Sequence, residues 1–178
     1  MLELRFVARD LRRLDAMSAE VVACGIWRDA RPFVGLAGVL DWRLAGRLSR
    51  LARQGFLVGD AGELFAMPAR PRLPFDKVML AGLGPRSTFG EATFRRVLER
   101  IIDALAGLQI KKAIVELPGR GDDAIAPERA AELLLDVTGD APRGQDDAYT
   151  FVEAAAIQQR IEKHVQERRR TALRARRP

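Results

Sequence analysis

Few residues of this sequence have the type and spacing that catalysis needs. The single histidine, His164, lies in the basic segment EKHVQER, and one solvated histidine builds neither a catalytic triad nor a histidine metal site. Ser49 lies in RLSRLAR, without the flanking glycines of a nucleophile elbow. The single cysteine, Cys24, lies in the apolar run VVAC, which is typical of a small core residue rather than a nucleophile. We therefore expect no catalytic residue among these three.

The acidic and glycine-rich segments do not form a metal or nucleotide motif either. Asp122 and Asp123 are adjacent, as are Asp146 and Asp147, and both pairs lie in polar segments typical of solvated turns. A two-metal hydrolase needs a cluster of hard ligands around both ions. The turn GLGPR lacks the lysine and serine or threonine that end a P-loop. We expect no metal and no cofactor.

The net charge of +6 belongs to the end of the chain. From Arg160 onward there are eight basic and two acidic residues, whereas residues 1–159 carry 22 of each sign. A neutral body lacks the broad basic surface of a dedicated nucleic-acid domain. Binding of nucleic acid or another polyanion would be a property of this tail, and its candidate residues are Arg168, Arg169, Arg170, Arg174, Arg176 and Arg177.

Apolar runs and helical spacing alternate along the chain. The patterns predict six strands, at 2–7, 20–27, 63–67, 76–83, 112–117 and 149–152. They predict one helix over 36–51, a second from about Glu91 to Leu108, a third from Pro127 to Gly139, and a last one beginning near Val152. Thr88 and Glu91 have the spacing of a capping box for the second helix. This alternation predicts an α/β fold with a mixed sheet and helices on its faces.

Length and composition are typical of one domain with an appendage. We expect a domain over residues 1–150 and a basic C-terminal helix or tail over 151–178. The apolar runs are far shorter than the roughly 20 residues that span a bilayer, so we expect no membrane association. A single cysteine fits a reducing cytoplasm.

Several segments, taken together in their order, resemble a known family. The strand EVVACGIW, the pattern of Phe56, Gly59, Gly62 and Glu63, and the GLG turn before a long helix look like the N-terminal domain of the M17 leucyl aminopeptidases. The resemblance covers about residues 19–160. It implies a three-layer α/β/α sandwich similar to the macro domain, the module that binds ADP-ribose in other proteins.

The same resemblance implies candidate ligand residues. Asp10 matches the macro-domain aspartate that holds adenine, and Gly35 and Gly38 match a loop that wraps a diphosphate. A second phosphate loop corresponds to Gly119, Arg120 and Gly121. Glycines let backbone N–H groups approach an anion, which the start of a helix also favours. An alternative is that these glycines only make tight turns.

The resemblance also implies what to expect of activity and partners. In that family a C-terminal domain binds two zinc ions and carries the chemistry, and the sequence ends at Pro178 without it. We therefore expect no aminopeptidase activity. The first hypothesis is a non-catalytic interaction or assembly module with a protein partner or a second copy of itself. The alternatives are a binder of ADP-ribose or a similar nucleotide, and a polyanion binder that uses the arginine-rich tail.

Overall fold

A single six-stranded sheet organises the chain. The computed structural model describes residues 4–139 and 148–175. The strands are β1 (Arg5–Val7), β2 (Val21–Ile26), β3 (Leu64–Pro68), β4 (Lys77–Gly82), β5 (Lys112–Val115) and β6 (Ala148–Val152). Their order is β1-β6-β5-β2-β4-β3, and every neighbouring pair is parallel except the antiparallel pair β3–β4. The predicted mixed sheet is confirmed.

Helices cover both faces of this sheet. They are α1 (Leu11–Asp15), α2 (Gly35–Arg43), α3 (Arg47–Arg53), α4 (Glu91–Gly107), α5 (Pro127–Thr138) and α6 (Ala155–Ala175). Alternate residues of β2 enter two separate cores: Val22 and Cys24 pack with α2 and α3, whereas Val21 and Ala23 pack with α4 and α5. A strand buried on both faces must be apolar throughout, which explains the run VVAC. The three-layer α/β/α architecture is therefore confirmed.

The helix predicted over residues 36–51 is wrong, because the chain forms two helices there. Ala45 and Gly46 have positive φ angles of 53° and 74°, which end α2. The Asp41 carboxylate then accepts the backbone N–H of Leu48 at 2.8 Å and of Ser49 at 3.1 Å. It caps the start of α3 from seven residues upstream, a distance that helical spacing alone does not indicate.

The predicted capping box of α4 is also absent. Gly90 is the N-cap of α4 and makes no side-chain capping bond, and the Thr88 hydroxyl donates to the Pro85 carbonyl instead. Glu91 turns away to pair with Arg129 of α5 at 2.6 Å. The apolar stripe predicted for α4 is confirmed and buried, from Phe94 to Leu105, whereas Leu108 beyond it is 48% exposed.

The final helix α6 packs on the body of the protein along its first half. Ile161 and Val165 form a small buried cluster with Ala131 of α5. Three contacts run alongside this cluster, each between one residue of α5 and one of α6: the ion pairs Glu128–Arg160 and Asp136–Arg168, and a hydrogen bond between the Glu132 carboxylate and the His164 ring, each at 2.7 Å. His164 therefore contacts Glu132, and the expectation of a merely solvated histidine is wrong.

The predicted domain boundary at residue 150 falls within β6, which lies between β1 and β5. Cys24 is fully buried, and burial raises the pKa of its thiol, so it is the expected core residue. Among the helices that the structure describes, none combines the length and the apolar character needed to cross a membrane.

Candidate functional site: the glycine loops at the carboxyl edge of the sheet

Three of the predicted ligand segments meet at one edge of the sheet. The carboxyl ends of parallel strands share an edge, and ligands of open α/β sheets bind there. Gly35 begins α2 after β2, Gly119–Gly121 follow β5, and Arg9 and Asp10 follow β1. We call the two loops that carry Gly35 and Gly119–Gly121 the cradle.

The two loops of the cradle are in direct contact. Gly35 has a φ of 63°, and a Cβ atom placed on it would lie 2.6 Å from the Gly121 Cα and 2.8 Å from the Glu116 Oε2. A Cβ on Gly121 would likewise lie 2.8 Å from the same carboxylate oxygen. Glycine is required at both positions because two backbones and a carboxylate converge there.

Glu116 is the central residue of the cradle, and it was not among the predicted site residues. Its side chain is 3% exposed. The Leu36 backbone N–H donates to both carboxylate oxygens, at 3.0 and 3.1 Å, and Arg9 Nε lies 2.9 Å from Oε1. Burial is the largest effect on the Glu116 pKa and raises it to about 7, against the opposing effects of Arg9 and the Leu36 N–H. A carboxylate directly after the apolar strand KAIV was the available signal.

Arg9 joins the cradle to the end of β1. Besides its ion pair with Glu116, its guanidinium donates to the Gly121 carbonyl at 3.2 Å. The neighbouring Asp10 faces the other way: its carboxylate accepts the backbone N–H of Arg12 at 2.8 Å and caps α1. The arginine therefore contacts the cradle, and the aspartate predicted as a ligand residue is an exposed helix cap.

Arg120 is buried in an ion pair. Its side chain is 2% exposed, and it donates to both carboxylate oxygens of Glu153 at 2.8 and 3.0 Å. It also donates to the Ile125 carbonyl and pairs with Asp123. These contacts hold the Gly119 loop against the end of β6. The guanidinium of Arg120 is therefore paired with groups of the chain itself.

An aromatic wall closes the far side of the cradle. The rings of Trp27 and Phe89 meet edge to face with centroids 5.0 Å apart. A Cβ on Gly119 would lie 2.7 Å from the Phe89 ring, so the loop lies directly on it. Arg86 lies over Trp27 and pairs with Asp122. Trp27 thus belongs to the wall of the cradle, whereas Trp42 is 73% exposed elsewhere.

The open space lies beside the cradle rather than inside it. The cavity lined by Trp27, Glu116 and Gly121 has a volume of about 10 Å³, which is about the room that one water molecule needs. A second cavity of about 450 Å³ lies between Arg9, Arg120 and the start of α6 at Ala155. Of these two cavities, only the second has room for a small molecule.

The remaining predicted residues do not join the cradle. Gly38 lies inside α2, where its close neighbour is the Phe33 carbonyl oxygen. Arg168 pairs with Asp136, and Arg170 is exposed. Arg176, Arg177, Asp146 and Asp147 lie outside the described residues, as do the side chains of Arg169 and Arg174. The ligand and polyanion roles of the predicted residues stay predictions.

Nothing in the described part of the chain forms a metal site. No three histidine, cysteine, aspartate or glutamate side chains of residues 4–139 and 148–175 come together to hold an ion. Asp122 pairs with Arg86 and Asp123 pairs with Arg120. Internal ion pairs and backbone hydrogen bonds hold the cradle together.

Comparison with known proteins gives a consistent result for sequence and fold. The model of the cytosol aminopeptidase family, N-terminal domain, matches residues 21–141. A probable cytosol aminopeptidase of Halorhodospira halophila is 32% identical over 120 residues, which are 66% of this chain and 24% of that protein. The chain thus spans about a quarter of the length of this curated relative.

Two solved structures show the same fold. A tomato leucine aminopeptidase mutant matches with a TM-score of 0.60 and 18% identity, covering 91% of this chain and 35% of the tomato chain. An Oceanobacillus iheyensis macrodomain with ADP matches with a TM-score of 0.64 and 13% identity, covering 87% of this chain and 88% of the macrodomain. At these identities the likeness shows the fold and nothing more.

Proposed function

Because this chain belongs to the cytosol aminopeptidase family and matches its N-terminal domain, we propose that it is a non-catalytic interaction or assembly module. The observation that carries the proposal is the filled cradle, whose inner cavity of about 10 Å³ is too small for a nucleotide. The family description also supports a location in the cytoplasm.

Exposed apolar side chains indicate where a partner would bind. Of the four large apolar residues that are exposed among the described residues, three lie in the segment from α2 to β3: Trp42 in α2, and Phe56 and Val58 after α3. Trp42 is 73% exposed and Phe56 is 63% exposed. Aromatic residues are enriched at the centres of protein interfaces. Ile161 and Val165 of α6 are buried against α5, so these apolar side chains are not available to a partner.

Light scattering on the purified protein tests assembly. We expect a mass that rises with concentration to a multiple of the monomer, and Trp42→Ala combined with Phe56→Ala should return the protein to a monomer. The matched control is Leu108→Ala, which removes an exposed apolar side chain at the end of α4. A monomer at every concentration, or an equal loss of assembly in the control, would contradict the proposal for self-association.

A second candidate is binding of a nucleotide-like ligand in the cavity beside the cradle. It is supported by the volume of about 450 Å³, by the guanidinium of Arg9 at its edge, and by the macrodomain fold that binds ADP in the Oceanobacillus iheyensis protein. Calorimetry with ADP-ribose and ADP tests it. Saturable heat that is lost in Arg9→Gln supports the candidate, and no heat at millimolar ligand rejects it.

A further inference from the structure

We propose that Glu116 is an internal anion that occupies the cradle in place of a ligand phosphate and holds its two loops closed. This role of Glu116 lies within the cradle, and it does not depend on the proposed assembly function.

Glu116 uses the hydrogen-bond donors that an external anion would need. The N–H of Leu36 belongs to the first turn of α2, a helix of nine residues, where unpaired donors and the helix dipole favour negative charge. Both oxygens of Glu116 accept this N–H, and the guanidinium of Arg9 completes the set. The carboxylate and its partners thus resemble a bound anion at a helix start, supplied by the chain itself.

The glycine loops leave no room for an anion beside Glu116. The backbones of Gly35 and Gly121 close over the carboxylate, since a Cβ on either residue would lie 2.8 Å from Oε2. About 10 Å³ remains beside it. An anion can therefore enter only after the Glu116 side chain leaves and the two glycine loops separate.

Burial of the Glu116 carboxylate costs free energy. Only one ion pair, to the partly exposed Arg9, compensates the carboxylate, and the nearby carboxylate of Glu153 opposes its ionisation. Burial of a carboxylate with so little compensation costs free energy, and its loss frees the Leu36 N–H and the Arg9 guanidinium as donors. Removing it should therefore leave a vacant set of donors rather than a collapsed loop.

The test is titration of the full chain with inorganic phosphate at constant ionic strength and about pH 8. We expect Glu116→Ala to gain a saturable rise in Tm of about 4 °C or more, and the wild type to shift by less than about 1 °C. Glu116→Gln should behave like the wild type, because the amide fills the same space. Calorimetry should give one phosphate per chain for Glu116→Ala.

The matched control is Glu20→Ala. Like Glu116, Glu20 accepts hydrogen bonds from the backbone, here from the N–H groups of Lys111 and Lys112, but at the opposite edge of the sheet. Its removal should not create phosphate binding. Equal phosphate shifts in Glu116→Ala and Glu20→Ala, or none in a cooperatively folded Glu116→Ala, would overturn the inference.

If Glu116→Ala does not fold, Glu116→Asp carries the test. Its carboxylate is one methylene shorter and partly vacates the cradle, so phosphate should raise its Tm more than that of the wild type. The absence of any difference would overturn the inference. Because self-association is read by mass and phosphate binding by Tm and heat, failure of one is distinguishable from failure of the other.

Discussion

At the residue scale, two buried carboxylates of this protein are compensated to different degrees. Glu153 faces Arg120 with two parallel hydrogen bonds of 2.8 and 3.0 Å. Glu116 shares Arg9, which is one-third exposed, and one backbone N–H. Fork-to-fork pairing compensates a buried charge better than a single contact, so the two residues should respond differently to neutralisation.

Neutralising Glu153 should destabilise the fold. Glu153→Gln leaves the buried Arg120 with only the exposed Asp123 as a charged partner, and breaking a buried ion pair costs on the order of 3 kcal/mol. The matched control is Asp76→Asn, which breaks the exposed Arg70–Asp76 pair and should cost less than about 1 kcal/mol. Urea unfolding measures both, and equal costs would contradict the role assigned to the buried pair.

Glu116 should make stability fall as the pH rises towards neutrality. Its pKa rises from 4.5 in the unfolded chain to about 7 in the folded one, so between these values the folded state holds a proton that the unfolded chain has released. The stabilisation is complete below about pH 4.5 and is lost as the pH passes about 7, by on the order of 3 kcal/mol.

Glu116→Gln has no such dependence, and this isolates the effect. The free energy of unfolding of the variant minus that of the wild type should increase between about pH 5 and pH 7.5. Chemical denaturation at a series of pH values measures the difference. A constant difference across this range would show that burial does not control the ionisation of Glu116.

At the element scale, the turn after β4 depends on a glycine. A Cβ on Gly82 would overlap the Asp60 carbonyl oxygen, because Gly82 pairs with the loop that leads into β3. Neither backbone can move without breaking the pairing of β3 with β4. The GLG turn therefore joins a core strand to α4 by close backbone contact.

Gly82→Ala should be strongly destabilising for this reason, by about 3 kcal/mol or more. Gly107→Ala is the control, since no atom lies within 4 Å of a Cβ placed on that helical residue. It should be neutral or stabilising by up to about 1 kcal/mol. Thermal unfolding of the two variants gives the comparison, and similar Tm values would contradict the close contact.

At the scale of the whole molecule, ion pairs and a small apolar cluster fasten α6 to the body. The pKa values of Glu128, Glu132 and Asp136 are lowered, chiefly by a backbone hydrogen bond at Glu128, by Arg129 at Glu132 and by Arg168 at Asp136. A lowered carboxyl pKa adds stability above its unfolded value, and this stability is lost as the pH falls through the folded value.

Acid should therefore remove the stability that these three carboxylates supply, below about pH 4.5. Glu132→Gln should lose less stability than the wild type between about pH 5 and pH 3, because the glutamine side chain takes up no proton in this range. Glu162→Gln, at an exposed position on α6, is the control and should follow the wild type. The Tm as a function of pH measures all three proteins, and identical profiles would contradict the contribution of Glu132.

The arginine-rich end allows one more prediction at this scale. If it binds polyanions, deletion of the residues after Glu167 should abolish binding to a DNA duplex, and the wild-type affinity should fall steeply with salt. Arg168 is already paired with Asp136, so a variant that replaces Arg168 alone should have little effect on binding. Fluorescence anisotropy checks both, and salt-independent binding would contradict the prediction.

Local sequence pattern was sufficient for most elements of this fold. The six strands follow from the length of the apolar runs, and the buried stripe of α4 follows from the helical spacing of its apolar residues. Both patterns arise because the two cores require apolar residues at those positions. The resemblance of the segments between residues 19 and 160 identified the family. The break at Ala45–Gly46 was missed because its cap, Asp41, acts across seven residues.

What the sequence determined by itself was most of the strands and helices, the family and the absence of a recognisable catalytic motif. These depend on neighbours in the chain and on short-range spacing. Only the tertiary structure decided that Glu116 reaches Leu36, 80 residues away, and fills the glycine loops. Burial, charge compensation and free volume arise from segments far apart in sequence, so the type and position of Glu116 alone did not reveal its contacts.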